Sequence, residues 1–194
     1  TWGMPMQLDE QTATTSIIAA PSFATNATGN IFVAWLEDDS AMETISASGV
    51  MNMLKYRQYM PGNGWNAVDL IARSSTTADA MALSIALSAA GETTAVWVEN
   101  DTTGSHIVAS HLISSNSLWS QKEMIASVAS GDGAVQALEV AIDMNDVPLA
   151  IWAVRATDGS NDTLSVWRNQ RLTSMQDAQE PTSIDPGTDP GTST

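Results

Sequence analysis

The chain has 194 residues, with 7 basic against 22 acidic side chains, a net charge of -15 and no cysteine. That charge excludes nucleic-acid backbone binding as a default, because phosphate contacts need Lys and Arg, and it argues against docking on anionic membranes. No run approaches the ~18 apolar residues of a membrane span. Without Cys there is neither a disulfide frame nor a thiolate metal site.

Hydrophobic residues make up 43% of the chain and charged ones only 15%. A folded protein is expected, with a polar surface built from Ser, Thr, Asn and Gln, which suits strands better than exposed helices. Seven Trp stand against two Tyr and two Phe, which points to Trp at a fixed place in a repeat.

The chain opens TWGMPMQLDE, with Thr and not Met at its first position, so a processed or excised sequence is expected. Trp2 leads a candidate strand over 2–8. Next comes SFAT, the turn NATGN, and a second strand carrying Trp35, followed by the acidic loop EDDSAMET. NMLKYRQY reads as a third strand, MPGNG as a turn, and Trp65 opens a fourth strand, WNAVDLIA.

The same order returns. LSIALS, SAAGE and the strand of Trp97 lead through ENDTTGS to HIVASHLI, SSNS and the strand from Trp119. Met53 to Trp65 and Ile107 to Trp119 both span 12 positions. A third copy runs LEVAID, DMNDV, the strand of Trp152, RATDGSND and TLSVWRNQ. Its fourth strand is missing: MQDAQEPTSI has no Trp and carries Pro181. The segment 181–194 (PTSIDPGTDPGTST) reads as an extended linker leading to a further domain or anchor.

Four short strands per period of about 50 residues are the signature of a propeller blade. The expected fold is all-β, with three four-stranded β-propeller-type blades near 21–80, 81–136 and 137–180 forming one segment over 1–180. The N-terminal strand would complete the last blade and protect its edge. Rings usually need about four or more blades, so two chains could close one six-bladed ring as a homodimer, or the chain could be a fragment. An antiparallel β-sandwich is the alternative.

The turn-plus-Trp openings, PGNGW ending at Trp65 and SSNSLW ending at Trp119, resemble a degenerate Asp-box turn of the BNR, sialidase-type propellers. The resemblance implies the propeller architecture over about residues 2–180. Asn63 and Asn116 stand where the family has Asp. The five arginines (Arg57, Arg73, Arg155, Arg168, Arg171) do not form the arginine triad that sialidase chemistry requires, so the resemblance implies the fold and not the catalysis.

Two constellations are candidates for chemistry. Acidic loops after the second strands supply Asp38, Asp39, Asp101 and Asp158, which could hold Ca²⁺, a cation that takes about six to eight oxygens. These residues also suit plain turns, and no other cofactor is expected. On the third strands, Tyr56-Arg57, Ser110-His111 and Trp167-Arg168 align column by column. A basic residue recurring in each blade suggests an aromatic-plus-Arg subsite for sugars or anions. Cross-strand pairing of Glu37 with Arg57 and of Glu99 with His111 is the plainer reading. Trp35, Trp97 and Trp152 are expected between blades, and Trp167 is the aromatic most suited to a ligand.

The histidines number two, and no G-x-S-x-G or H-E-x-x-H is present. The sequence therefore points to a non-catalytic binding module for glycan or protein ligands, secreted, periplasmic or at a bacterial cell surface. A structural half-propeller that dimerises and a glycan-active enzyme are the alternatives.

Overall fold

The computed structural model describes residues 4–9, 15–17, 19–39, 52–74, 82–113, 118–158, 161–171 and 182–184. The described residues form strands and turns and no helix, arranged in three antiparallel sheets taken in chain order.

The first sheet is built from β1 (Thr15–Ile17), β2 (Ser22–Thr25), β3 (Ile31–Asp39), β4 (Asn52–Met60), β5 (Gly64–Trp65) and β6 (Asp69–Ser74). β1 and β2 both pair with β3, and β5 and β6 both pair with β4, so the sheet is a four-stranded meander whose outer strands are each broken once. The second sheet repeats this with β7 (Leu83–Leu87), β8 (Thr93–Asp101), β9 (Gly104–Ile113), β10 (Leu118–Trp119) and β11 (Glu123–Ala129). The third has β12 (Ala134–Ile142), β13 (Pro148–Asp158), β14 (Asn161–Gln170) and β15 (Thr182–Ile184).

The first hairpin of each sheet uses one turn three times. Asn26, Ser88 and Asp143 stand nine residues before Trp35, Trp97 and Trp152. Each offers a side-chain oxygen to the backbone N–H four residues on, at 3.1 Å to Asn30, 3.1 Å to Glu92 and 2.9 Å to Val147. The residue three places on is left-handed: Gly29 (φ 82°), Gly91 (φ 91°) and Asp146 (φ 60°). Gly carries that conformation without steric cost and Asp tolerates it, so both suit the turn.

Side chains alternate across each strand, which gives every sheet two faces. Trp97 points from the second sheet into a core with Phe32, Leu36, Leu54 and Tyr56 of the first. Trp152 points from the third sheet into a core with Val96, Val98 and Ile107 of the second. Each of these Trp therefore packs on the sheet before its own. Trp35 occupies the same position in the first sheet and is buried within this one chain, at 2% exposure. Its indole Nε1–H donates to Glu37 Oε1 at 2.6 Å, as Trp97 donates to Glu99 Oε1 at 3.1 Å.

Along one edge the first strands touch. The Ser22 hydroxyl accepts from Ile85 N–H at 3.1 Å, and the Ser84 hydroxyl accepts from Val140 N–H at 3.0 Å. The equivalent position in the third sheet holds Glu139, which accepts from Ser84 Oγ at 3.0 Å.

Three expectations are corrected. The fourth place in the third sheet is taken by β15, from the segment expected to be linker, and not by an N-terminal strand. Residues 4–9 form no strand, and the Leu8 carbonyl accepts from Arg57 Nη1 at 3.1 Å beside the first sheet. Thr182–Ile184 can serve because edge pairing needs only three backbone-compatible residues, and Pro181 lies outside the paired stretch.

The third correction concerns register. Lys55, Val108 and Trp167 face Trp35, Trp97 and Trp152 across their hairpins. That register places Arg57 with Ser110 and Asn169, His111 with Gln58 and Gln170, and Arg168 with Tyr56 and Ala109. An independent hydrogen bond agrees: Asn66 Oδ1 accepts from Gln58 N–H as Ser120 Oγ accepts from His111 N–H. The basic residues therefore share no column, and a slip of one residue sends side chains to opposite faces. Glu37 pairs with Lys55 and Glu99 with Lys122, not with Arg57 and His111.

Candidate functional site

The two junctions between sheets are built from equivalent positions filled differently. At the first junction, Phe32 and Tyr56 stack with ring centroids 4.8 Å apart, and Trp119 closes edge-on at 5.8 and 5.6 Å. The equivalent positions on the second sheet, by the hairpin register, are Thr94 and Ala109. Two aromatic rings are replaced by two small side chains, and a cleft of about 540 Å³ opens at the second junction. Such concave, partly apolar space with a few placed polar groups is the usual form of a ligand site.

Its floor is apolar, with Val96, Ala109, Ile125 and Ala150. His111, Glu123, Asn169 and Arg171 supply its polar groups. Thr94 and His111 are cross-strand partners, and their side chains meet at 2.9 Å between Oγ1 and Nδ1. His111 Nε2 lies 3.1 Å from Glu123 Oε1. Burial first, and the positive charge of Arg171 second, push the His111 pKa below its ordinary 6.5. The neutral ring has one donor and one acceptor, and a carboxylate only accepts. So Nε2–H donates to Glu123, and Nδ1 accepts from the Thr94 hydroxyl.

Asn169 braces the junction, donating from Nδ2 to the Ile125 carbonyl at 2.9 Å. That leaves its amide carbonyl as an acceptor. Arg171 follows β14, is exposed, and is held by its own backbone N–H on the Pro148 carbonyl at 3.0 Å. Among the described residues its guanidinium makes no hydrogen bond. Among its described lining residues the cleft thus carries one carboxylate, one guanidinium and a neutral imidazole.

A second, smaller cleft of about 290 Å³ lies at the same junction, lined by Ser127, Asp132, Trp152, Val154 and Trp167. Asn169 stands on β14 between Trp167 of this cleft and Arg171 of the larger one, so its brace separates the two.

The sequence candidates are scattered over these surfaces. His111 lines the larger cleft and Trp167 the smaller. Tyr56 lies in the first junction, 5% exposed, with its hydroxyl 3.4 Å from Asp69 Oδ2. Burial, then the Asp69 charge, raises its pKa. Arg57 is on the opposite face, donating from Nε to the Asn66 carbonyl at 2.7 Å. Arg168 is exposed on the face of the third sheet that carries Ile151, away from both clefts.

Of the expected calcium ligands, Asp101 caps its own turn. Its Oδ1 accepts from Thr103 Oγ1 at 2.6 Å, Thr103 N at 2.7 Å and Gly104 N at 3.2 Å. His106 Nε2 lies 3.0 Å from Oδ2. The Thr103 hydroxyl and N–H, more than any other group, hold this carboxyl well below the usual range. The side chains of Asp38, Asp39 and Asp158 lie outside the described residues. Among the described residues no three acidic or histidine side chains gather to hold a metal.

Thr94, Glu123, Asn169 and Arg171 were not singled out in the sequence. A comparison of repeat columns finds the place: Phe32 against Thr94, and Tyr56 against Ala109.

No protein-family model matches the chain, and no curated protein matches it. Solved structures are similar to it, among them a fucose lectin from Kordia zhangzhouensis in complex with methyl-fucoside. That likeness has 12% sequence identity and a TM-score of 0.39, and it covers 84% of this chain and 96% of the lectin.

Proposed function

We propose that this protein is a non-catalytic, extracytoplasmic binding module that takes a neutral glycan in the cleft between the second and third sheets. The carrying observation is the replacement of the Phe32–Tyr56 pair by Thr94 and Ala109, which leaves a polar-walled cleft where the first junction is filled with rings. A sugar has an apolar C–H face and an edge of hydroxyls that both donate and accept. The floor of Val96 and Ala109 suits the face. Glu123, Asn169 and Arg171 suit the edge, since carboxylates accept, guanidinium donates and the amide carbonyl accepts. One acid and one base leave the cleft near neutral, and a chain of net charge -15 repels polyanions. Three antiparallel sheets joined along their first strands support the reading of this module as a propeller sector.

The test is calorimetric titration of the full chain with a panel of methyl glycosides, neutral and acidic. At least one neutral glycoside is expected to bind. Arg171→Gln should weaken it about tenfold or more, the scale of a lost hydrogen bond to a charged group. Ala109→Tyr, which fills the cleft as Tyr56 fills the first junction, should abolish binding while the melting transition stays cooperative. Full binding by a folded Ala109→Tyr variant would sink the reading, and so would a panel in which nothing binds.

A further inference from the structure

The Trp columns differ at one place. Trp35 and Trp97 are each followed two residues on by a Glu that accepts the indole N–H, at 2.6 and 3.1 Å. Those acids are buried and held by Lys55 and Lys122. Trp152 is followed by Val154. Val has no acceptor, so among the described residues the third indole has no carboxylate at the position its two counterparts use. The smaller cleft of about 290 Å³ opens beside this exchange, lined by Trp152 and Val154. A second exchange meets the first. The residue facing Trp across the hairpin is Lys55 in the first sheet and Val108 in the second, but Trp167 in the third. Trp167 is only partly buried and lines the same cleft. The exchange thus removes a charged acceptor and adds a flat aromatic wall.

We propose that this cleft is a second ligand subsite, in which an uncharged pyranose ring lies against Trp167 and gives a hydroxyl or ring oxygen to the Trp152 indole N–H. It rests on the glycan reading above and deepens it to two subsites, one on each side of the Asn169 brace. Indole walls suit the C–H face of a sugar, and Trp N–H is a donor only, so its partner must be an acceptor. Ser127 and Asp132 supply further polar groups at the lining. A carboxylate-bearing ring is disfavoured, because Asp132, the charged group among the described lining residues, is negative.

The experiment is a titration of the ¹⁵N-labelled full chain with the same methyl glycosides, read at the seven indole N–H resonances and at the backbone amides of Thr94 and His111. Trp152→Phe and Trp167→Phe assign the two indoles. Saturable shifts of the Trp152 and Trp167 indole resonances are expected, and Val154→Gln, which supplies an acceptor from the chain itself, should reduce them at least tenfold in apparent affinity. Should Val154→Gln unfold the chain, Trp167→Ala takes its place as the variant expected to lose the Trp152 shift. Shifts at Thr94 and His111 with silent indoles would overturn the second subsite and keep the larger cleft. Indole shifts alone would keep the second subsite and remove the first. Silence at both, across the panel, overturns both.

Discussion

His111 is the residue whose charge state the fold controls most directly. It is buried between Thr94 and Glu123, with Arg171 near enough to oppose a second positive charge. Its folded pKa is therefore below the 6.5 of the unfolded chain. The unfolded state then binds more protons as pH falls below that value, so stability rises with pH through this window. The contribution is fully present above pH 6.5 and is lost as pH falls from there through the lower folded pKa. Urea midpoints measured between pH 8 and 5 should fall on the acid side for the parent chain. His111→Gln, which keeps a hydrogen-bonding side chain and cannot gain charge, should flatten that part of the curve. An unchanged acid limb in the variant would assign the pH dependence to other groups. Ligand affinity should follow the same direction, because a protonated ring donates to both neighbours and withdraws the acceptor that the Thr94 hydroxyl uses.

At the scale of the element, the first hairpin turn is the most regular feature of the chain. Its left-handed position holds Gly29, Gly91 and Asp146, and only the last carries a Cβ there. Asp143 keeps its turn through its own carboxylate, whose bonds to the Val147 and Asn145 N–H groups lower its pKa. Asp146→Gly should relieve local strain and raise stability by about 0.5 kcal/mol, a melting shift of one to two degrees for a chain of this size. A fall in the melting temperature would show that the greater freedom of Gly in the unfolded chain outweighs that relief. This turn is also why the strands were legible in the sequence. A Gly or Asp three places after a capping side chain, always nine residues before Trp, marks the hairpin without any structure. The third strands were not legible to the residue. Asn52–Met60 is buried on successive residues at its start, so alternation gives no face, and Tyr56-Arg57 could be matched to Ser110-His111 one place out of register. The larger cleft was hidden for another reason. Its walls come from β9, β11 and the end of β14, and no local pattern shows that Arg171 will stand near Glu123.

Across the whole molecule, the question is what the outer sheets offer a second copy. Closing a ring head-to-tail would set the Trp face of one first sheet on the free face of another third sheet. Trp35 is 2% exposed and Glu37 is 0% exposed in a single chain, so the Trp35 position of that face is already covered, while Phe23 on the same face is 71% exposed. A partner could reach Trp35 only by displacing what lies there and stranding the Glu37–Lys55 pair and its indole bond, a loss of about 3 kcal/mol or more for a broken buried ion pair. The N-terminal strand expected to complete the last blade has lost its place as well, since Thr182–Ile184 of the same chain pairs with β14. The third sheet still presents Ile151 at 38% and Leu164 at 62% exposure, too little apolar surface to hold a standard interface of roughly 800 Å² per partner on its own. Light scattering on a sizing column should therefore give a mass near 20.5 kDa at micromolar concentration. A mass near twice that value would mean that the third sheet's outer face finds a partner after all. Ile151→Lys should then return the chain to a monomer if that face is the interface, and leave the dimer intact if the pairing runs through the first sheet.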